Sequence, residues 1–106
     1  MNGLIQSLMD ELRAGLEAVY GDRLKGVYLY GSYARGEADT ESDVDALVVL
    51  GQISNYGNEI ERTSFLVAEL SLRYGVSLSR VFVSEQAWRR HTTPFLLNVY
   101  EEATPV

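Results

Sequence analysis

The sequence contains no cysteine and a single histidine, His91. These scarcities exclude a disulfide framework, a thiolate zinc site, a cysteine nucleophile and a cluster of histidine metal ligands. No apolar run approaches the ~18 residues that a membrane span needs, and the N-terminus lacks the basic stretch and apolar run of a signal peptide. We therefore expect a protein with no membrane association, in the cytoplasm, where reducing conditions suit a chain without cysteine.

Basic residues are also few, since 9 Lys and Arg stand against 15 Asp and Glu and leave a net charge of −6. Binding to nucleic acid depends on clustered Lys and Arg that contact phosphates, so we expect no direct nucleic-acid binding. An acidic chain would also repel a nucleoside triphosphate unless divalent cations offset the charge at the site. Any phosphate chemistry should therefore depend on a metal ion.

The length of 106 residues and the hydrophobic fraction of 46% predict a single folded domain over residues 1–106. Hydrophobic periodicity and turn signals predict an α/β (α+β) fold, with a small mixed sheet of three to four strands flanked by helices. The predicted elements are a helix over 3–20, a strand at Lys25–Tyr30, a helical turn at Tyr33–Arg35, a strand at Val44–Leu50, a helix from about Ile60 to Tyr74, a strand at Val76–Val83, a short helix after Ser84 and a last helix from Pro94.

A glycine–serine step, Gly31-Ser32, directly follows the first predicted strand and opens the segment GSYARGEADTESDVDALVVL. Because glycine has no side chain, backbone N–H groups there can come close to a phosphate, and Ser32 can donate its hydroxyl to the same phosphate. Alone, such a step is more often just a turn. Its combination with an Asp-x-Asp pair that runs into an apolar strand indicates a functional site.

The acidic pair, Asp43 and Asp45, stands at the start of the second predicted strand. Alternate residues of a strand point to the same face, so we expect the two carboxylates to project together. Side by side they repel each other, and Mg²⁺ relieves that repulsion because it prefers oxygen ligands from one or two carboxylates together with phosphate. One or two Mg²⁺ ions are expected here, and two could clamp both the attacking and the leaving oxygens of a phosphoryl displacement.

This segment resembles the signature of the minimal nucleotidyltransferases, within the DNA polymerase β-like superfamily. The segments LSLRYGV, VFVSEQAW and TPFLLNVYEEA also resemble members encoded beside HEPN-domain partners. The resemblance implies a nucleotidyltransferase fold and Mg²⁺-dependent transfer of AMP from ATP to a protein hydroxyl, by an antitoxin of a HEPN-domain ribonuclease toxin. It implies that Gly31 and Ser32 hold the triphosphate, that Asp43 and Asp45 are the catalytic metal ligands, and that Arg35 orients the motif or the phosphates.

One feature departs from the superfamily pattern, in which a neighbouring strand commonly supplies a third acidic residue. The predicted strand Val76–Val83 contains no Asp or Glu, and Ser77 or Ser79 stands in the corresponding place. Serine is a poor general base and a weak metal ligand. Three glutamates could substitute for the missing acid: Glu37, Glu41 and Glu85.

Two alternatives to protein adenylylation remain. The missing third carboxylate favours a binding module that neutralises its partner by contact, with a vestigial active site. A nucleotidyltransferase acting on a small molecule, such as an aminoglycoside, is the other alternative. Nucleotidyltransferases of that kind normally carry a second, substrate-binding domain, for which 106 residues leave no room.

The stretch Pro94–Tyr100 (PFLLNVY) carries five apolar residues besides its proline. A terminal helix on a small domain can bury only one face of that stretch, so the other face should expose an apolar patch, which usually marks an interaction site. We expect this helix, with Trp88 nearby, to contact the HEPN toxin. The isolated chain is then expected to self-associate or aggregate as a homo-oligomer, and co-expression with the toxin is expected to yield a stable hetero-oligomer.

Overall fold

A computed structural model describes residues 2–106 of the chain. Within these residues a 3₁₀ turn at Gly21–Arg23 accompanies five helices and four strands. The helices are α1 (Gly3–Tyr20), α2 (Ser32–Arg35), α3 (Tyr56–Tyr74), α4 (Glu85–Arg90) and α5 (Pro94–Glu102), and the strands are β1 (Leu24–Tyr30), β2 (Val44–Leu50), β3 (Leu78–Ser84) and β4 (Thr104–Pro105). No helix in this part of the chain is both long and apolar enough to cross a membrane.

The two long helices begin at asparagine caps and end at glycines. The side-chain oxygen of Asn2 accepts a hydrogen bond from the N–H of Ile5 at 2.8 Å, and Asn55 accepts one from the N–H of Asn58 at 3.3 Å. Gly21 and Gly75 follow the last helical residues with φ of 54° and 66°, which glycine adopts without a steric penalty. The predicted helix over 3–20 and the predicted end at Gly75 are confirmed.

The four strands form one mixed sheet in the order β3-β2-β1-β4. Strand β1 pairs antiparallel with β2 and with β4, whereas β2 and β3 run parallel. Parallel neighbouring strands require a crossover connection, and α3 provides it by returning the chain to the end of the sheet at which β2 begins. The predicted fold class, a small mixed sheet flanked by helices, is confirmed. The two-residue strand β4 is an addition that the sequence pattern did not indicate.

The third strand begins later than predicted, at Leu78 rather than Val76. The backbone N–H of Val76 donates to the carbonyl of Ser71 and thereby completes the end of α3. The carbonyl of Ser77 accepts from the N–H of Val44 across the gap to β2. Residues 76 and 77 therefore belong to the turn between α3 and β3, although their composition favours a strand.

Two apolar layers cover opposite faces of the sheet. On one face α1 and α3 bury the larger cluster, in which each fully buried leucine stabilises the fold by about 1.5–3 kcal/mol. On the other face α4 and α5 pack against Leu47, Val49 and Val83. Even-numbered residues of β2 point towards α1 and α3, and odd-numbered ones point towards α4 and α5. This alternation assigns Asp45 to the α4–α5 face.

Helix α5 buries Val99 and leaves several other apolar side chains partly exposed. Val99 is buried, whereas Phe95, Leu97 and Tyr100 are 46%, 44% and 51% exposed. Trp88 is buried between the rings of Tyr28 and Tyr100, with ring centroids 4.8 and 5.3 Å away. The last helix thus exposes apolar side chains as expected, although Phe95 lies on the same face as Val99 and contacts the ring of Tyr30. Trp88 belongs to the core beneath that helix.

Candidate functional site

The predicted site residues gather at one end of the sheet, the end at which β1 terminates and at which β2 and β3 begin. Tyr30, the last residue of β1, pairs with Asp45 of β2, and Asp45 pairs in turn with Ser79 of β3. The chain leaves β1 at Gly31 and returns to the same end at Asp43. Antiparallel pairing of β1 with β2 is thus what brings the glycine–serine step and the acidic pair together.

Gly31 lies directly against the carboxylate of Asp45. Its backbone has φ 78° and ψ −157°, a region that only glycine occupies readily. A Cβ at this position would overlap Oδ2 of Asp45 and lie 3.3 Å from its Cγ. The site therefore requires glycine at position 31 for two reasons: the backbone conformation and the space that Asp45 occupies.

Ser32 opens the single helical turn α2. The carbonyl of Gly31 accepts from the N–H groups of Ala34 and Arg35 at 3.0 and 3.1 Å, so the turn folds back onto the step itself. The N–H groups at the start of a helix have no partner within it. Ser32 thus presents a hydroxyl and a backbone N–H beside Gly31, which is a donor arrangement suited to an anionic oxygen.

Asp45 is partly buried, and its Oδ1 accepts a hydrogen bond from the hydroxyl of Ser79 at 2.8 Å. That bond fixes the carboxylate and leaves Oδ2 beside Gly31. Asp43 stands one residue before β2 and is exposed. Of the two serines that the sequence left open, Ser79 is the partner of Asp45, and Ser77 lies in the preceding turn.

No carboxylate takes the position of a third acid beside Asp45 in residues 2–106. Glu85 begins α4 beyond the far end of β3, about 20 Å from Ser79 at ~3.3 Å per strand residue, so it cannot substitute. Glu37 pairs with Arg35 at 3.2 Å and is largely exposed. Glu41 lies in the exposed loop before Asp43. The suggestion that Glu85 could substitute was therefore wrong, because the direction of β3 carries it away from the site.

Arg35 forms ion pairs with two carboxylates. Its Nη1 lies 2.8 Å from Oε2 of Glu102 at the end of α5, and its Nε lies 3.2 Å from Oε2 of Glu37. Hydrogen bonds to Glu102 and then to Glu37 raise the pKa of the guanidinium above its ordinary value. The guanidinium is thus directed at carboxylates of its own chain, which supports an orienting role for Arg35.

Sequence reasoning did not identify Tyr30 and Glu102 as members of this site. Burial, the charge of Asp45 and the proximity of Tyr56 and Glu102 raise the pKa of the Tyr30 hydroxyl to about 12. Tyr30 therefore stays protonated beside Asp45 and Glu102 and can donate a hydrogen bond at this end of the sheet. The only sequence signal for Tyr30 was its place immediately before Gly31, and Glu102 had none, because its proximity depends on how α5 packs.

Residues 9–89 of the chain match the family described as "Nucleotidyltransferase domain". The chain belongs to this family. The predicted enzyme class, a nucleotidyltransferase, is thereby confirmed. The matched residues include all five predicted site residues, whereas α5 and Glu102 lie outside them.

Two curated relatives of the nucleotidyltransferase carry related names. A Methanocaldococcus jannaschii protein, provisionally named a protein adenylyltransferase, is 33% identical over 98 residues, which cover 92% of this chain and 92% of the relative. Protein adenylyltransferase MntA of Thermococcus cleftensis is 41% identical over 69 residues, which cover 65% of this chain and 68% of that protein. The predicted resemblance to the minimal nucleotidyltransferases is consistent with both names.

Solved structures share the fold of this nucleotidyltransferase. A toxin–antitoxin structure with AMP-PNP has a TM-score of 0.64 at 18% identity, covering 92% of this chain and 70% of that one. A tri-AMPylated Shewanella oneidensis HEPN toxin in complex with its MNT antitoxin gives a TM-score of 0.59 at 16% identity, covering 94% and 69%. At these identities the likeness establishes the fold.

The donor set at this end of the sheet fits a magnesium ion. Asp43 and Asp45 would supply carboxylate oxygens, and the Ser79 hydroxyl orients that of Asp45. Within residues 2–106 no group of three or more His, Cys, Asp or Glu side chains is arranged to hold a metal ion. Mg²⁺ is usually bound through one or two carboxylates and completes its shell with water and substrate phosphates, so a two-carboxylate set suits it.

Proposed function

We propose that this chain transfers AMP from ATP, with Mg²⁺ as cofactor, to a hydroxyl of a partner protein. The partner is a HEPN-domain ribonuclease toxin, and the chain acts as its antitoxin in the cytoplasm. The observation that carries the proposal is the contact of Gly31 with the Asp45 carboxylate. It places the glycine–serine step, which we propose binds phosphate, directly against one of the two carboxylates that we propose bind the metal ion.

Each site residue has a defined task in this proposal. Gly31 lets the Asp45 carboxylate lie directly against the backbone at the start of the glycine–serine step, and Ser32 donates its hydroxyl and backbone N–H to a phosphate oxygen. Asp43 and Asp45 would hold Mg²⁺, with Ser79 fixing the orientation of Asp45. When bound, the cation would offset the charge of the triphosphate and of the acidic chain.

The transfer step is a displacement at phosphorus. The acceptor oxygen forms a bond to the α-phosphorus, the bond from the α-phosphorus to the bridging oxygen of the β-phosphate breaks, and pyrophosphate leaves. The proton of the acceptor hydroxyl passes to water, because the position opposite Asp45 holds Ser79 and no carboxylate. The contribution of this chain is therefore mainly positioning and electrostatic stabilisation.

The partly exposed apolar side chains of α5 support a protein as the acceptor. Phe95, Leu97 and Tyr100 lie on the helix whose last residue, Glu102, reaches the site. A partner that covers these side chains would lie beside Asp43 and Asp45. The names of both curated relatives, and the HEPN toxin complex among the structures with this fold, support the same class of acceptor.

Label transfer tests the proposal. The chain is mixed with Mg²⁺, [α-³²P]ATP and the product of the neighbouring reading frame, and proteins are then separated by electrophoresis. Label on the neighbour is expected from [α-³²P]ATP and not from [γ-³²P]ATP, because pyrophosphate leaves with the γ-phosphate. Label from the γ position would indicate a kinase, and absence of label from both would remove the adenylyltransferase assignment.

A second candidate function is neutralisation by contact alone, with an inactive nucleotidyltransferase site. The observation that favours it is Ser79, which faces Asp45 at the place where the superfamily commonly has its third acid. Size-exclusion chromatography separates the two candidates when it is combined with label transfer. A stable complex without transfer of AMP supports the contact mechanism, and transfer of AMP refutes it.

A further inference from the structure

The C-terminal residues lie outside the family match and return to the site. The family match ends at residue 89, yet β4 pairs with β1, so that Thr104 lies opposite Leu29. The backbone N–H of Val106 donates to the carbonyl of Val27 at 2.9 Å, and Arg13 donates to the carbonyl of Val106. These bonds fix the end of α5 beside the end of β1, where Gly31 begins the glycine–serine step.

Glu102 occupies an unfavourable place on α5 and is compensated there. Carboxylates at the C-terminus of a helix face the negative end of its dipole, and Glu101 and Glu102 both stand in that position. Glu102 is 22% exposed and pairs with Arg35 at 2.8 Å. Glu101 is exposed and has no ion pair within 4.0 Å in residues 2–106. The pairing with Arg35 thus distinguishes two adjacent residues of equal charge.

Helix α2 packs Tyr33 and Ala34 against the larger apolar cluster, but it has few polar bonds to residues outside its own segment. It comprises four residues, too few to be stable alone. Its backbone hydrogen bonds join Gly31, Ser32 and their immediate neighbours, and Glu37, the other partner of Arg35, belongs to the same segment. The bridge to Glu102 is the side-chain ion pair that connects this turn to a distant element.

We infer that Glu102 is a positioning residue for nucleotide binding, which acts by holding Arg35 and thereby the orientation of α2. The inference rests on the proposed binding of ATP at Gly31 and Ser32. Arg35 then acts through its bridge to α5 and not as a direct phosphate ligand. Loss of either partner should loosen the same turn, so the two residues should be energetically coupled.

A double-mutant cycle on the full chain tests this coupling. The dissociation constant of Mg-ATP is measured by calorimetry for the unmodified chain, Glu102→Gln, Arg35→Gln and the double variant. Each single substitution is expected to weaken binding by about two- to fivefold, the range of a partly exposed ion pair. The double variant should be no weaker than the single ones, because each single change already breaks the bridge.

The matched control is Glu101→Gln, which removes the same charge from the same helix end and should leave nucleotide affinity unchanged. Glu102→Asp, which retains the charge, should recover part of the affinity. Equal or tighter binding by Glu102→Gln, or losses that add in the double variant, would overturn the inference, because Arg35 would then act independently of Glu102. Absence of ATP binding by the unmodified chain would instead refute the proposed function itself.

Discussion

Replacing Gly31 by alanine should destabilise the fold in two ways, through backbone strain and through overlap with Asp45. Alanine at φ 78° and ψ −157° costs about 1–3 kcal/mol through strain. The new Cβ would also overlap Oδ2 of Asp45. Displacing that carboxylate from its rotamer costs about 0.5–1.5 kcal/mol, and losing its hydrogen bond to Ser79 costs about as much again.

Gly21→Ala is a matched control at the opposite end of β1. Gly21 also combines a positive φ with a strongly negative ψ, 54° and −127°. No atom lies within 4 Å of a Cβ built there, so the control carries strain without a collision. Gly31→Ala should therefore be less stable than Gly21→Ala by about 1–3 kcal/mol, the sum of the rotamer and hydrogen-bond terms.

Urea unfolding measures the stability difference, provided that the m values of the two variants agree. A Mg-ATP titration then measures the functional effect. Gly31→Ala should weaken binding at least about tenfold, because a displaced carboxylate loses an electrostatic contact worth more than 1.4 kcal/mol, whereas Gly21→Ala should bind normally. Equal stability and equal affinity of the two variants would refute the contact between Gly31 and Asp45 as the basis of the site.

Three further predictions concern the metal, the acidic pair and a buried glutamate. ATP should bind more tightly with Mg²⁺ than with EDTA, and equal affinities in a calorimetric titration would contradict the two-carboxylate site. Asp43→Asn and Asp45→Asn should each slow transfer of label by roughly 10²-fold while the chain stays folded, and near-normal rates would show that this pair is not catalytic. Burial raises the pKa of Glu59, but hydrogen bonds from Arg23 and Tyr20 outweigh it and hold that pKa below its usual value. The charged form of Glu59 thus stabilises the fold at pH values above its pKa in the unfolded chain, and this stabilisation is lost as the pH falls through its pKa in the folded chain. Glu59→Gln should therefore lower the free energy of unfolding by about 1–3 kcal/mol at pH 7, and by less in urea titrations at acid pH. A loss of stability that does not depend on pH would argue against this account.

The sequence predicted most elements and indicated the central residues of the candidate site, because their signals are local. Apolar spacing over 3–20 specifies one buried helix face, and Gly75 marks the end of α3. Asp45 stood out because an acid within an apolar strand conflicts with simple packing, and Gly31 stood out because its glycine–serine step precedes that acidic pair in the same segment. Residues that conflict with their local environment often serve function, so such residues can be found without a structure.

Tertiary structure alone decided which side chains meet at the site. Ser77 and Ser79 are equivalent in composition, and only the parallel register of β2 with β3 brings Ser79 to Asp45. Glu85 was excluded and Glu102 was added for the same reason, since strand direction and the pairing of β4 with β1 set their positions. Contacts between residues far apart in sequence depend on strand register and packing. Neither can be read from the residue type at a single position.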